Sequence, residues 1–439
     1  MSVNIESSMN AESVNTESMN TESMNTESMN TVSADPRFKD GPLAGIRVLD
    51  LTSVIMGPFA THILADLGAD VIKVESPEGD SLRHYEPLRD PGMAGNILNL
   101  HRNKRSIVLD LKRAQCRTAL DSLIATADVF VHNLRPKPME RLGYGYDRVR
   151  SIKPDIVYCG AYGFGAQGPY SDKPAYDDLI QAGSGIAALY GEVHGEPAYV
   201  PTVICDKLTG QAIAYAILAA LFQRARGGGG QAIEVPMLET TIEFNLAEHI
   251  YGSAFVPPLS KPGFKRVLSK GRKPYRTKDG YACILPYSDR NWQDFYTFTG
   301  RTQFKDDPRF QRLSDRVQNI GILYQMVEEE APKRTTSEWV AFCDRVNIPC
   351  MPVMSLEEIP EDPHVKAVGL FRTAEHPSEG RYRTVRSPVS FSASPFRIRR
   401  HAPRLGEHTA EILAEAGLSA EQIGELLNAT SETMPERDS

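Results

Sequence analysis

Asp206 closes the apolar run Pro201-Thr202-Val203-Ile204-Cys205 and opens a long helical stretch in which Leu208, Ile213, Ala214, Ile217, Leu218 and Leu221 recur at helical spacing. Two chemistries suit an acid there. As an N-cap it satisfies free N–H groups of the first turn. As a nucleophile it sits at the positive end of the helix dipole, which keeps a carboxylate ionised and stabilises negative charge developing beside it. The local sequence is compatible with both. A second acidic pair, Asp177-Asp178, precedes Leu179-Ile180-Gln181 and Gly183-Ser184-Gly185; read locally it is a cap or a solvated face.

The elements that must position these acids alternate in type. Strand-like runs at 46–51, 71–75, 106–111, 129–133 and 156–161 are separated by helical stretches at 58–67 and 114–125. Such alternation implies parallel strands with right-handed crossovers, a Rossmann-like layered sheet. A dinucleotide site would then follow the first strand, with Glu75 as the ribose acid. The turn Thr52-Ser53-Val54-Ile55-Met56-Gly57-Pro58 lacks the Gly-x-Gly-x-x-Gly that lets backbone approach a pyrophosphate, which argues against NAD. The run Gly227-Gly228-Gly229-Gly230 follows a helix and leads into the strand-like Ala232-Ile233-Glu234-Val235, so it reads as a helix end and turn, not a phosphate loop.

The chain has 439 residues, of which 41% are apolar, enough for two domains. Residues 1–36 repeat Met-Asn-Thr-Glu-Ser and carry five Glu, one Asp and no Lys or Arg; this tail is expected to be disordered. Net charge is −7, so the remainder is near neutral and shows no basic excess for nucleic acid. Six scattered cysteines form no Cys-x-x-Cys pair, so neither a metal site nor a disulfide framework is expected. No membrane span or secretory signal is read, and a cytoplasmic location is expected.

Several ordered blocks together resemble the family III CoA-transferases, also called the CaiB/BaiF family. They are Gly45-Ile46-Arg47-Val48-Leu49-Asp50-Leu51, Asp66-Leu67-Gly68-Ala69-Asp70-Val71-Ile72-Lys73-Val74-Glu75, Asn103-Lys104-Arg105-Ser106-Ile107-Val108-Leu109-Asp110-Leu111-Lys112 and Val131-His132-Asn133-Leu134-Arg135-Pro136. Further on, Gly163-Phe164-Gly165 with Gly168-Pro169, Tyr176-Asp177, the Asp206 block, Pro274-Tyr275-Arg276-Thr277 and Pro403-Arg404-Leu405-Gly406-Glu407-His408-Thr409 agree as well. The resemblance covers roughly 41–427. It implies an α/β chain with a Rossmann-like large domain (41–228 with 392–427), a linker (229–253) and a smaller α+β domain (254–387), paired as an interlocked homodimer.

The resemblance also implies the chemistry. Asp206 would attack an acyl-CoA thioester to give a mixed anhydride, then carry CoA as an aspartyl thioester to an acceptor carboxylic acid. Asp177 falls where formyl-CoA:oxalate CoA-transferases carry a glutamate near the nucleophile, and is expected to be catalytic with it. CoA is expected along Ile55, Met56, Leu109, Asp110, Leu111, Lys112, Asn133, Leu134, Arg135, Arg141, Lys173 and Tyr176. Acyl-CoA enters as substrate, with no permanently bound cofactor or metal. Ile55 stands where the oxalate enzyme has a glutamine, so oxalate is not expected to be preferred. The basic segment Lys265-Arg266-Val267-Leu268-Ser269-Lys270-Gly271-Arg272-Lys273 reads as a solvated loop or a cationic rim that receives anionic substrate. Two alternatives stay open: an acyl-CoA racemase of the same fold, which needs two opposed bases, and a silent CoA-binding protein.

Overall fold

Parallel strands need a crossover connection, usually a helix, and the chain uses such connections to build one central sheet. The computed structural model describes residues 40–431; the repeat tail at 1–36 lies outside the described residues. The order is β1 (Arg47–Leu51), α1 (Met56–Asp66), β2 (Asp70–Glu75), α2 (Gly95–Leu100), β3 (Lys104–Val108), α3 (Ala114–Thr126), β4 (Val129–His132), α4 (Pro136–Leu142), α5 (Tyr146–Ile152), β5 (Val157–Tyr162), α6 (Asp177–Gly183), α7 (Ile186–His194), α8 (Ile204–Gln223), β6 (Gln231–Pro236) and α9 (Met237–His249). Then come β7 (Tyr275–Arg276), β8 (Tyr281–Ile284), α10 (Asp289–Thr299), α11 (Leu313–Gln318), α12 (Ile320–Glu330), α13 (Thr336–Val346), β9 (Cys350–Pro352), α14 (Pro363–Ala367), β10 (Phe371–His376), β11 (Gly380–Val385), α15 (Thr409–Glu415) and α16 (Ala420–Ser431).

The six-stranded sheet runs β3-β2-β1-β4-β5-β6, parallel throughout. Alternate residues of each strand serve opposite faces. Val48, Val71, Val129, Val131 and Val157 pack under α1 and α8, against Leu64, Ile213 and Ile217. Leu49, Ile72, Ile107 and Phe130 pack on the other face against Leu120 and Leu123 of α3. Ile412, Leu413 and Leu426 join this second face, so the chain does return to the large sheet after its excursion.

One boundary is corrected. The stretch 229–253, expected as a linker, holds β6 and α9, because pairing of β6 beside β5 closes an edge that would otherwise expose its backbone groups. Within 254–387, β7, β8 and β9 form a small antiparallel sheet. Trp292, Phe295, Tyr296, Trp339 and Phe342 form an aromatic core beside it. The β10–β11 hairpin docks on the large sheet's side of the molecule: Arg102 donates to Thr384 Oγ1 at 2.9 Å, and His376 Nε2 lies 2.8 Å from the Ala402 carbonyl.

A second correction concerns the helix behind Asp206. The segment Ile204–Gly228 is long and apolar enough to cross a membrane by length and composition, with a mean hydropathy of 1.3, although no such run was read from the sequence. Half of it is buried within this protein, where it packs against α1 and the sheet, as a core helix does.

Candidate active site

Strand order 3-2-1-4-5-6 reverses direction between β1 and β4, and open α/β sheets gather ligands outside the carboxyl ends of strands at that point. A cavity of about 320 Å³ lies there. The end of β1 contributes Ser53, Val54 and Met56, the end of β4 contributes Asn133, Leu134 and Arg135, the end of β5 contributes Tyr162 and Gly163, and Met237 follows β6. The segment Lys173-Pro174-Ala175-Tyr176 and Asp206 complete the wall.

Asp206 reaches this wall differently from expectation. Helix α8 begins at Ile204 with Val203 as its N-cap, so Asp206 is the third residue of the first turn and not the cap. Burial of Cys205 draws the chain into the core ahead of Asp206 and starts the helix upstream. The capping work falls to Asp177, whose Oδ1 accepts the Asp206 N–H at 3.0 Å. Asp177 is buried at the start of α6, where its Oδ2 accepts from Gln181 at 2.7 Å.

Among the described residues none donates a hydrogen bond to the Asp206 carboxylate. Burial, and after it the Asp177 carboxylate, push the Asp206 carboxyl up to about 6. The helix is seated by Gly210, one turn beyond Asp206: a Cβ there would lie 2.8 Å from the Met56 carbonyl. Only glycine lets α8 press this face onto the start of α1. Gly163 does the same for the 173–176 segment, since a Cβ there would meet Ala175 Cβ at 2.1 Å.

Of the residues expected along CoA, the cavity gathers Met56, Asn133, Leu134, Arg135, Lys173 and Tyr176 with Asp206. Others stand elsewhere. Ile55 packs against the cluster of Leu82, Met93 and Ile97 and is not among the residues lining the cavity. Leu109 is buried in the core with Leu111 against it, Asp110 Oδ1 accepts from the Lys112 N–H at 3.0 Å, and Lys112 is exposed. Arg141 is exposed in the last turn of α4. Asp177 stands behind Asp206 without lining the cavity. The basic segment rests on the smaller domain, with Arg266 4.8 Å over the Tyr287 ring and Lys273 2.6 Å from Glu328.

Sequence reasoning missed Ser53, Val54, Pro138, Tyr162, Gly163 and Met237 as wall residues, while Pro174 and Ala175 lie in the 173–176 segment that the family resemblance places along the channel. Ser53 and Val54 lie in the same loop as Met56; Tyr162 ends β5 and Met237 follows β6, both at carboxyl ends of strands, where open α/β sheets gather ligands. Glu75, the decoy ribose acid, is fully engaged by Arg83 at 2.7 Å through both carboxylate oxygens and by Ser106 Oγ at 2.7 Å.

A model of CoA-transferase family III matches residues 43–409. The chain belongs to this family. It is 34% identical over 385 residues to the succinate–glutarate CoA-transferase of Agrobacterium fabrum, covering 85% of this chain and 95% of that protein. It is 34% identical over 407 residues to the formyl-CoA:oxalate CoA-transferase of Streptomyces avermitilis, covering 87% and 97%. The crystal structure of a CaiB/BaiF family protein from Brucella suis superimposes with a TM-score of 0.73 at 31% identity, covering 86% and 100%. The protein is therefore a CoA-transferase of family III, and acyl-CoA and carboxylate substrates are consistent with that family.

Proposed function

We infer that Asp206 carries CoA transfer as a covalent nucleophile. The observation bearing the most weight is the state of this carboxylate: on the cavity wall, without a described donor, and raised to about 6. At neutral pH such a group is mostly ionised yet poorly solvated, which makes it reactive.

An Asp206 oxygen attacks the thioester carbonyl carbon of acyl-CoA, the C–S bond breaks, and CoA leaves as thiolate. The thiolate attacks the Asp206 carbonyl of the mixed anhydride and expels the donor carboxylate, leaving an Asp206–CoA thioester. An acceptor carboxylate repeats the two steps in reverse order, and no net proton is taken up. The oxyanions form within the first turn of α8, whose positive end favours them. Asp177 is a positioning residue: it holds the Asp206 backbone and keeps that carboxyl raised. Racemisation is less well supported, because among the described residues the cavity wall holds no histidine and Asp177 is turned away from it.

Two cations at the mouth, Arg135 and Lys173, suit the phosphates of CoA or the far carboxylate of a diacid. Relatives named for succinate and glutarate, the Agrobacterium enzyme and the human succinyl-CoA:glutarate CoA-transferase (31% identical over 392 residues), and a relative named for oxalate match about equally well, so the preference for four- and five-carbon diacids rests on these two cations alone. Chromatographic assay of CoA exchange with succinate, glutarate, oxalate and butyrate decides this. Succinate or glutarate is expected to give the highest kcat/KM; oxalate ahead of both would refute the diacid-length reading. Association into a homodimer is supported by large apolar side chains exposed on α8 and α9, among them Tyr215, Phe222 and Phe244.

A further inference from the structure

The cavity loop after β1 contains a backbone anomaly. Val54 has φ +68°, a left-handed conformation that a β-branched residue adopts at a conformational cost. Two contacts hold it. Asn133 clasps the preceding residue, accepting the Ser53 N–H at 3.0 Å and donating to the Ser53 carbonyl at 2.8 Å. Asp80 accepts the Val54 N–H through both oxygens, each at 3.2 Å.

Asp80 is itself held in place. Its Oδ1 accepts the Leu82 N–H at 3.0 Å, and its Oδ2 accepts Lys73 Nζ at 3.0 Å. The same ammonium donates to the Thr52 carbonyl at 2.8 Å, so Lys73 grips the loop directly and through Asp80. The Lys73 and Asp80 side chains are 1% and 0% exposed. Burying such a pair gains little stability over apolar side chains of the same size, so its place under the cavity loop asks for another reason.

We propose that Lys73 and Asp80 form a positioning clamp that keeps Val54 left-handed and thereby shapes the thioester end of the CoA cavity opposite Asp206. The clamp touches no substrate. It rests on the reading of this cavity as the CoA site, and acts on it through one residue's backbone.

The test is a double-mutant cycle read by calorimetric binding of coenzyme A, with kcat and KM measured beside it. Asp80→Asn is expected to weaken CoA binding at least tenfold when residue 54 is valine. In the Val54→Gly background the same substitution is expected to cost less than threefold, because glycine takes positive φ unaided. An equal loss in both backgrounds overturns the clamp and leaves Asp80 a support of the fold. Should Asp80→Asn not fold, Lys73→Met with Asp80→Leu replaces the pair by apolar groups and enters the same cycle. Val54→Pro approaches from the other side: its φ is locked negative and it lacks the N–H that Asp80 accepts. Wild-type CoA affinity in that variant overturns the proposal. Wild-type protein that binds coenzyme A but does not exchange it overturns the nucleophile reading alone, because the clamp is read in binding.

Discussion

Helices α10 and α13 of the smaller domain and helix α8 of the larger one begin in opposite ways. Ser288 and Thr335 cap their own helices, each in a reciprocal capping box with the residue three positions on, Asn291 and Glu338. Helix α8 has Val203 at its cap and takes its side-chain acceptor from Asp177, 29 residues earlier in the chain. The smaller domain sets α10 and α13, both locally capped, around an aromatic core, whereas the larger one holds the buried Lys73–Asp80 pair, a left-handed valine and a carboxylate raised by its surroundings. At the cavity a left-handed valine lines the wall, a desolvated ion pair lies under its loop and a raised carboxylate completes it.

Replacing Asp206 with Asn presses this contrast hardest. Turnover should fall by roughly 10⁴-fold or more, the scale on which loss of a covalent nucleophile acts. Stability should move the other way. The Asp206 carboxyl is raised to about 6 in the folded protein, above its ordinary 3.8, so its ionisation favours the unfolded chain. The stability this group contributes is present below pH 4 and lost as pH rises through 6. Asp206→Asn should therefore raise Tm at pH 7 to 8, by up to about 3 kcal/mol of stability, and the gain should vanish below pH 4. A gain independent of pH would contradict the raised carboxyl.

Gly210→Ala comes next. Its Cβ meets the Met56 carbonyl at 2.8 Å, so α1 and α8 must part. Stability should drop by about 1–3 kcal/mol, and kcat/KM about tenfold as Asp206 moves from the wall. Unchanged kinetics would show that the seating of α8 does not position the acid.

Asp177→Asn keeps an acceptor for the Asp206 N–H and removes a charge. Wild-type kcat/KM should fall on the acid side of about pH 6, where Asp206 protonates. In the variant this limb should move to lower pH while staying above the ordinary carboxylate range, since burial is the larger cause. The smallest effect belongs to the other side of the comparison. Thr335→Ala should cost about 1 kcal/mol of stability by thermal melting and leave kcat and KM alone.

The sequence disclosed most of the sheet and part of the site, for physical reasons visible in particular residues. Alternating runs such as Val71-Ile72-Lys73-Val74 and Val129-Phe130-Val131 carried the parallel strands, because burial on both faces leaves a strong apolar signal. The start of α8 was misplaced because Asp206 looks like a cap to any local rule, and the true acceptor, Asp177, comes from another helix. Ile55 is expected near the thioester from the family resemblance alone; in the structure it packs on the Leu82 cluster, as its neighbour Val54 also does while lining the cavity. Asp80 and Lys73 carried no readable signal, since a buried pair is spelled with the same residues as a surface one. The packing of Ile412, Leu413 and Leu426 against the sheet is a long-range contact that periodicity does not carry.

The central claim, Asp206 as nucleophile, is tested most directly by incubating the protein with an acyl-CoA, quenching with hydroxylamine, digesting it and weighing the peptide that spans 201–224. An activated Asp206 is expected as its hydroxamate, formed only when acyl-CoA is present and absent from Asp206→Asn. A turning-over enzyme with this peptide unmodified, or with the hydroxamate on Asp177 or Asp178, would contradict the account.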